Sequence, residues 1–162
     1  MFPVDYVIFA TGFDPFTGPL FDVEIVGLDG IDLRSHWRSE FKTTLGVLMH
    51  GFPNLFLLQA LGAPSVLTNM AQSGQYQAEW IAKGVDQTAN RGSGSIHASA
   101  AEEQRWTLHA QELAQKTLFA GANSWYNRRT KGNAKGLLLP YVGGHSRYVR
   151  ECELFSQRLD GT

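Results

Sequence analysis

The sequence predicts an α/β fold whose strands include at least one buried on both faces, as in a parallel sheet. Three observations carry that expectation. Val7-Ile8-Phe9 is a short apolar run bounded by turn residues, the pattern of a doubly covered strand. Leu55-Phe56-Leu57-Leu58 is a second such run, which returns the chain to the same sheet. Helical periodicity follows over residues 69–85, 99–118 and 145–159.

The first run ends in Ala10-Thr11-Gly12. Small residues after a buried strand either make an ordinary glycine turn or let a ligand approach the backbone closely. In open α/β sheets ligands sit beyond the carboxyl ends of the strands. Residues 14–19 form a turn-rich loop. Phe21, Val23 and Ile25 alternate with Asp22, Glu24 and Val26, and Asp29-Gly30 supplies a turn before Ile31-Asp32-Leu33; this predicts a β-hairpin over 21–33. Ser35-His36-Trp37-Arg38 reads as a connector, with His36 either a ligand or a surface ring packed on the Trp37 indole.

The second run ends in Gln59-Ala60-Leu61-Gly62-Ala63-Pro64, so it opens at the same sheet edge as Thr11-Gly12. Thr68 or Asn69 can cap the next helix, on which Met70, Ser73, Gln77 and Trp80-Ile81 recur near helical spacing and Tyr76 and Trp80 pack together. Its N-terminus is either simply capped or presents free N–H groups to a carbonyl or phosphate. Residues 86–95 are polar and Gly/Ser-rich, a flexible connection. Ser99-Ala100-Ala101-Glu102 is a capping box, and the helix it opens carries Trp106, Ala110, Leu113 and Leu118 near one face, with His109 toward solvent. Residues 128–136 are basic and poor in apolar side chains, a mobile loop that either meets a nucleotide or is merely solvated. Leu137-Leu138-Leu139 is a short strand. Gly143-Gly144 precedes a last helix with Tyr148, Cys152 and Phe155 on one side.

A chain of 162 residues suffices for one domain with a real core. Its net charge of −1 gives no electrostatic case for nucleic acid or an anionic membrane. The single cysteine, Cys152, excludes an internal disulfide and fits a reducing cytoplasm. No apolar run approaches the roughly 20 residues that span a bilayer, and residues after Met1 lack the pattern of a signal peptide. No His, Cys and carboxylate cluster has metal-ligand spacing.

Taken together, four stretches resemble one family. Asp5-Tyr6-Val7-Ile8-Phe9-Ala10-Thr11-Gly12-Phe13-Asp14 is similar to the Ala-Thr-Gly strand of flavin-dependent monooxygenases in its Baeyer–Villiger form. Gly51-Phe52-Pro53-Asn54-Leu55-Phe56, Pro64-Ser65-Val66-Leu67-Thr68-Asn69-Met70, and Asn123-Ser124-Trp125-Tyr126-Asn127 with Pro140-Tyr141-Val142-Gly143-Gly144 follow in the family's order. The resemblance is to the C-terminal third of such an enzyme and covers residues 1–162. It implies the C-terminal part of a Rossmann-like FAD-binding domain of the two-dinucleotide-domain type, with a β-hairpin, about three helices and an incomplete sheet. It further implies FAD and NADPH as cofactors, and insertion of one oxygen atom from O2 into a ketone, via a flavin peroxide, to give an ester or lactone.

Carried over by motif, Ala10, Thr11 and Gly12 lie beside the flavin. Thr68, Asn69 and Met70 flank the isoalloxazine, with Leu67, Met70 and Trp125 on the substrate pocket. Ser124 and Trp125 reach NADP. No catalytic residue is assigned, because nothing here matches the family's arginine. Ala60-Leu61 stands where the family usually has Gly-Pro, residues 128–135 replace Gly-Ala-Asn-x-Pro-Gly-Lys, and no Gly-x-Gly-x-x-Gly occurs. The neighbours of the first strand are then expected to be absent, leaving it uncovered and calling for a complementing chain or self-association. The expected outcome is an inactive isolated fragment. The alternatives are a non-catalytic interaction module and a monooxygenase acting on sulfides or amines.

Overall fold

The computed structural model describes residues 3–10, 12, 17–39, 41–64, 67–92, 94–122, 126–130 and 133–160. The elements are α1 (Gly18–Phe21), α2 (Leu33–Ser39), α3 (Met70–Asn90), α4 (Ala100–Gln115), β1 (Asn127–Thr130), β2 (Asn133–Leu138) and α5 (His145–Asp160). Short 3₁₀ turns occur at Leu28–Gly30 and Leu118–Gly121.

The three long helices form where caps and periodicity place them. Asn69 Oδ1 accepts from the Gln72 N–H at 3.2 Å and starts α3. Ser99 Oγ accepts from the Glu102 N–H at 3.2 Å and starts α4. Helix α5 buries Tyr148, Cys152 and Phe155, as its pattern requires. Burial pushes the Cys152 thiol up to about 12, which keeps it protonated and inert.

The core is organised by a segment that belongs to no helix or strand, residues 41–49. Leu45, Val47 and Leu48 point into one apolar cluster with Trp106, Tyr141, Tyr148, Cys152 and Phe155. Phe41 and Met49 point into a second cluster with Leu33, Trp37, Phe52, Leu57, Leu61 and Leu139. A buried irregular backbone must find partners for its N–H and C=O groups. Here the Thr44 and Leu48 backbones bond each other in both directions at 2.8 and 3.0 Å, and the Leu57 N–H donates to the Val47 carbonyl at 2.8 Å. The Thr43 hydroxyl donates to the Leu61 carbonyl.

Several expectations are corrected. The predicted sheet does not form among the described residues. Residues 7–9 join no ladder, and Val7, Ile8 and Phe9 are 65%, 90% and 83% exposed. Residues 55–58 likewise join no strand; Leu57 is nonetheless buried by the second cluster. The hairpin over 21–33 shrinks to one antiparallel bridge, Val26 to Asp32, around the Asp29-Gly30 turn, because α1 and α2 close in on both sides. Residues 35–38 are helix rather than connector. Trp37 is fully buried, and His36 packs edge-on against Phe52 at 5.4 Å.

Helix α3 runs on to Asn90, into the stretch expected to be a flexible connection. Helix α4 ends at Gln115, three residues short of Leu118, which is 97% exposed. The basic stretch expected to be a mobile loop is the antiparallel hairpin β1–β2, with Asn127 opposite Leu138 and Thr130 opposite Asn133. The predicted strand at 137–139 falls largely within β2. His109 faces solvent only in part: its side chain is 23% exposed and its Nε2 lies 3.2 Å from the Tyr141 hydroxyl. Among the described residues no helix is long and apolar enough to cross a membrane.

Candidate functional site

The start of α3 is where the predicted ligand-facing residues meet a built polar framework. Asn69 is extended, and its cap leaves the first turn of α3 with the N–H groups of Met70 and Ala71 ahead of the intrahelical ladder. Leu67 and Met70 flank that turn at 44% and 46% exposure, apolar side chains held at the surface.

Two hydrogen-bonded chains hold the turn in place. In the first, Gln59 Nε2 donates to the Met70 carbonyl at 2.9 Å, and the Gln59 N–H donates to Gln77 Oε1 at 2.9 Å. Gln77 Nε2 then donates to the Tyr148 hydroxyl at 2.7 Å, which donates to the Leu45 carbonyl at 2.6 Å. In the second, Thr68 Oγ1 is 3.1 Å from Ser73 Oγ, and Ser73 Oγ is 3.3 Å from His145 Nδ1. The Tyr76 ring meets the His145 ring edge-on at 5.8 Å. Thus the first residue of α5 and the loop at Gln59 both clamp the first turn of α3.

Gln59 has φ +56, a left-handed conformation that non-glycine residues seldom adopt. Its Oε1 is buried with no donor among the described residues. A strained residue with an orphaned acceptor beside a helix start is a feature of ligand sites. This corner therefore fits one edge of a planar, N–H-bearing heterocycle: an acceptor at Gln59, backbone donors at Met70 and Ala71, and apolar cover from Leu67 and Met70. It does not supply a phosphate cradle, since no Gly-x-Gly-x-x-Gly turn occurs in the sequence.

The structure brings Leu67, Thr68, Asn69 and Met70 together in this one turn. Ala10 and Gly12 are exposed on the N-terminal segment, which joins no described element. Thr11, Ser124 and Trp125 lie outside the described residues. The sequence places Gln59 at the start of the ligand-facing stretch that ends at Met70 but gives it no role, and it assigns none to Gln77, Ser73, His145 or Tyr148. Only the placing of Ser73 and Gln77 on the buried stripe of α3 hinted at them. Asn69→Ala is expected to lower stability by about 1 kcal/mol through loss of the cap. A urea titration followed by circular dichroism checks this, and an unchanged midpoint would remove the cap from the account.

No family model matches the chain. It is 37% identical over 146 residues to acetone monooxygenase (methyl acetate-forming) from Gordonia sp. (strain TY-5), an alignment covering 90% of this chain and 27% of the relative. Over 145 residues it is 32% identical to phenazine N-monooxygenase PhzNO1 from Lysobacter antibioticus, covering 90% of this chain and 26% of the relative. Its fold superposes on the crystal structure of OTEMO in complex with FAD and NADP with a TM-score of 0.84 at 32% identity, over 97% of this chain and 29% of that one. The chain is homologous to part of the Baeyer–Villiger monooxygenases. It spans little more than a quarter of the length of these relatives.

Proposed function

We propose that residues 1–162 are the C-terminal portion of an FAD- and NADPH-dependent Baeyer–Villiger monooxygenase, and that the turn at 67–70 borders its flavin. The observation that carries this reading is the clamped start of α3. Its Asn69 cap, its tie to Gln59 and its exposed Leu67 and Met70 fall on the motif that the resemblance assigns to the isoalloxazine edge. In this reading Ala10, Thr11 and Gly12 pass beside the flavin. Ser124 and Trp125 reach NADP, and Leu67, Met70 and Trp125 wall the substrate pocket. Bound flavin, reduced by NADPH, supplies the activation of O2 that converts a ketone to an ester or lactone. This chain's own work is to orient the ring edge at Gln59 and α3 and to exclude water with Leu67, Met70 and the Trp125 indole.

The exposed run at Val7, Ile8 and Phe9 supports completion by a further stretch of polypeptide that carries the dinucleotide turns. The isolated chain is therefore expected to bind no stoichiometric FAD and to show negligible NADPH oxidation. Co-expression with an upstream segment bearing two Gly-x-Gly-x-x-Gly turns is expected to give yellow protein and ketone-dependent NADPH oxidation. Stoichiometric FAD on the chain alone, or a colourless complex, would overturn the reading. The second reading, oxygenation of a ring nitrogen, has the N-monooxygenase relative in its favour. Product analysis with a ketone and a phenazine separates the two.

A further inference from the structure

We propose that the aromatic column at the centre of this chain is a one-electron relay, in which Tyr141 is where an oxidising equivalent comes to rest and His109 takes the proton that Tyr141 releases. The column starts beside the α3 turn. Tyr76, edge-on to His145, has its ring centroid 6.3 Å from that of Tyr148. Tyr148 is 6.0 Å from Tyr141 and 6.1 Å from Trp106. Trp106 and Tyr141 stack at 4.8 Å with 25° between their planes. Every ring in this series is within one short step of the next. The last pair is fully buried, and the partly exposed His109 ring packs against both members at 5.5 and 5.8 Å.

The hydrogen bonds single out Tyr141. A phenol gives up an electron readily only when a base can take its proton. The Tyr148 hydroxyl donates to the Leu45 carbonyl at 2.6 Å, and the Tyr76 hydroxyl donates to the Val149 carbonyl at 3.4 Å. A peptide carbonyl is not a base at neutral pH, so these two rings can pass charge but cannot keep it. The Tyr141 hydroxyl instead faces His109 Nε2 at 3.2 Å. Glu151 Oε1 lies 4.0 Å from that nitrogen. The His109 side chain is 23% exposed, so the proton can continue to water. Burial pushes the Tyr141 phenol up to about 12, so it holds its proton until the electron leaves.

Trp106 is the complement. Its Nε1–H is buried with no acceptor among the described residues. An indole oxidised there cannot shed its proton, remains a radical cation and stays strongly oxidising. The step is then balanced. A one-electron oxidant takes one electron from Trp106; Tyr141 passes one electron to the Trp106 radical cation, and the phenolic proton moves to His109 Nε2. The products are neutral Trp106, a neutral Tyr141 phenoxyl radical and a His109 imidazolium. A thiol then gives one hydrogen atom to the Tyr141 phenoxyl, two of the thiyl radicals so formed join as a disulfide, and His109 releases its proton to water. The oxidants against which this would matter are partly reduced oxygen species escaping an O2-activating site, which rests on the proposed function. The relay would draw the damage away from the α3 turn.

The test needs neither flavin nor substrate, so a failure to bind FAD leaves it intact. Photogenerated tris(bipyridine)ruthenium(III) is the oxidant, with a Tyr6→Phe background because Tyr6 is 90% exposed. Radicals are read by transient absorption and by electron paramagnetic resonance with ring-deuterated tyrosine. The expected result is a phenoxyl signal that Tyr141→Phe replaces with an indole radical. His109→Gln, which keeps a hydrogen-bond acceptor but no base, is expected to lose most of it. Urea midpoints near the parent's would show that both variants fold. A phenoxyl signal undiminished in either variant overturns the proposal.

Discussion

Gly46→Ala is expected to lower the stability of the chain by roughly 2–5 kcal/mol, a large part of the about 5–15 kcal/mol typical of a domain. Two separate effects add. Gly46 has φ +66, where an L side chain costs about 1–2 kcal/mol. A methyl group on it would also stand 2.4 Å from the Ala63 backbone nitrogen and 2.6 Å from the Ala63 Cβ. The neighbour is buried backbone and cannot yield as a long side chain would, so overpacking adds about 1–3 kcal/mol. Gly51→Ala separates the two. Gly51 has φ +82, but a methyl there meets nothing within 4 Å. It should lose only the dihedral part, about 1–2 kcal/mol. Urea titration of both variants provides the measurement; equal losses would mean that the turn at 44–47 can shift away from Ala63.

That turn also explains which parts of the fold the sequence revealed. Helices α3, α4 and α5 were legible because their determinants are local: the Asn69 and Ser99 caps and apolar side chains at helical spacing. Residues 41–64 were not, because what fixes them is tertiary. Leu45, Gly46, Asn54 and Gln59 all have positive φ, and three of these are not glycine. No local rule places Leu45 there; it is held by burial and by the Tyr148 bond. The alternation over 21–33 is real, but a period of two cannot build a ladder when only Val26 and Asp32 face each other. Conversely, the basic, glycine-containing stretch at 128–136 reads as a loop, yet its described residues pair within β1 and β2. At the site, the cap and Thr68 were legible from the α3 start signal. The partners Gln77 of Gln59 and His145 of Ser73 were not, because polar residues joined across 18 or 72 positions leave no periodic trace.

Tyr148→Phe is expected to destabilise the chain by about 2–6 kcal/mol while leaving its packing almost untouched. The hydroxyl it removes is both donor and acceptor in a dry place. Without it the Leu45 carbonyl has lost a donor, and Gln77 Nε2 has lost an acceptor. Each unsatisfied buried group costs about 1–3 kcal/mol. The phenyl ring keeps its neighbours Trp106, Tyr141 and Tyr76, so little of the loss comes from a cavity. The effect should also travel. Gln77 holds the Gln59 N–H, and Gln59 holds the Met70 carbonyl at the start of α3. Amide exchange should therefore quicken at Gln59, more than 10 positions from the nearest residue of α3, while Glu102 in the capping box of α4 keeps its protection. Quickened exchange at both would mean that Tyr148 supports the whole core evenly. Quickening at Gln59 alone would show that one buried hydroxyl carries the geometry of the Leu45 turn to the corner where a ring edge would bind.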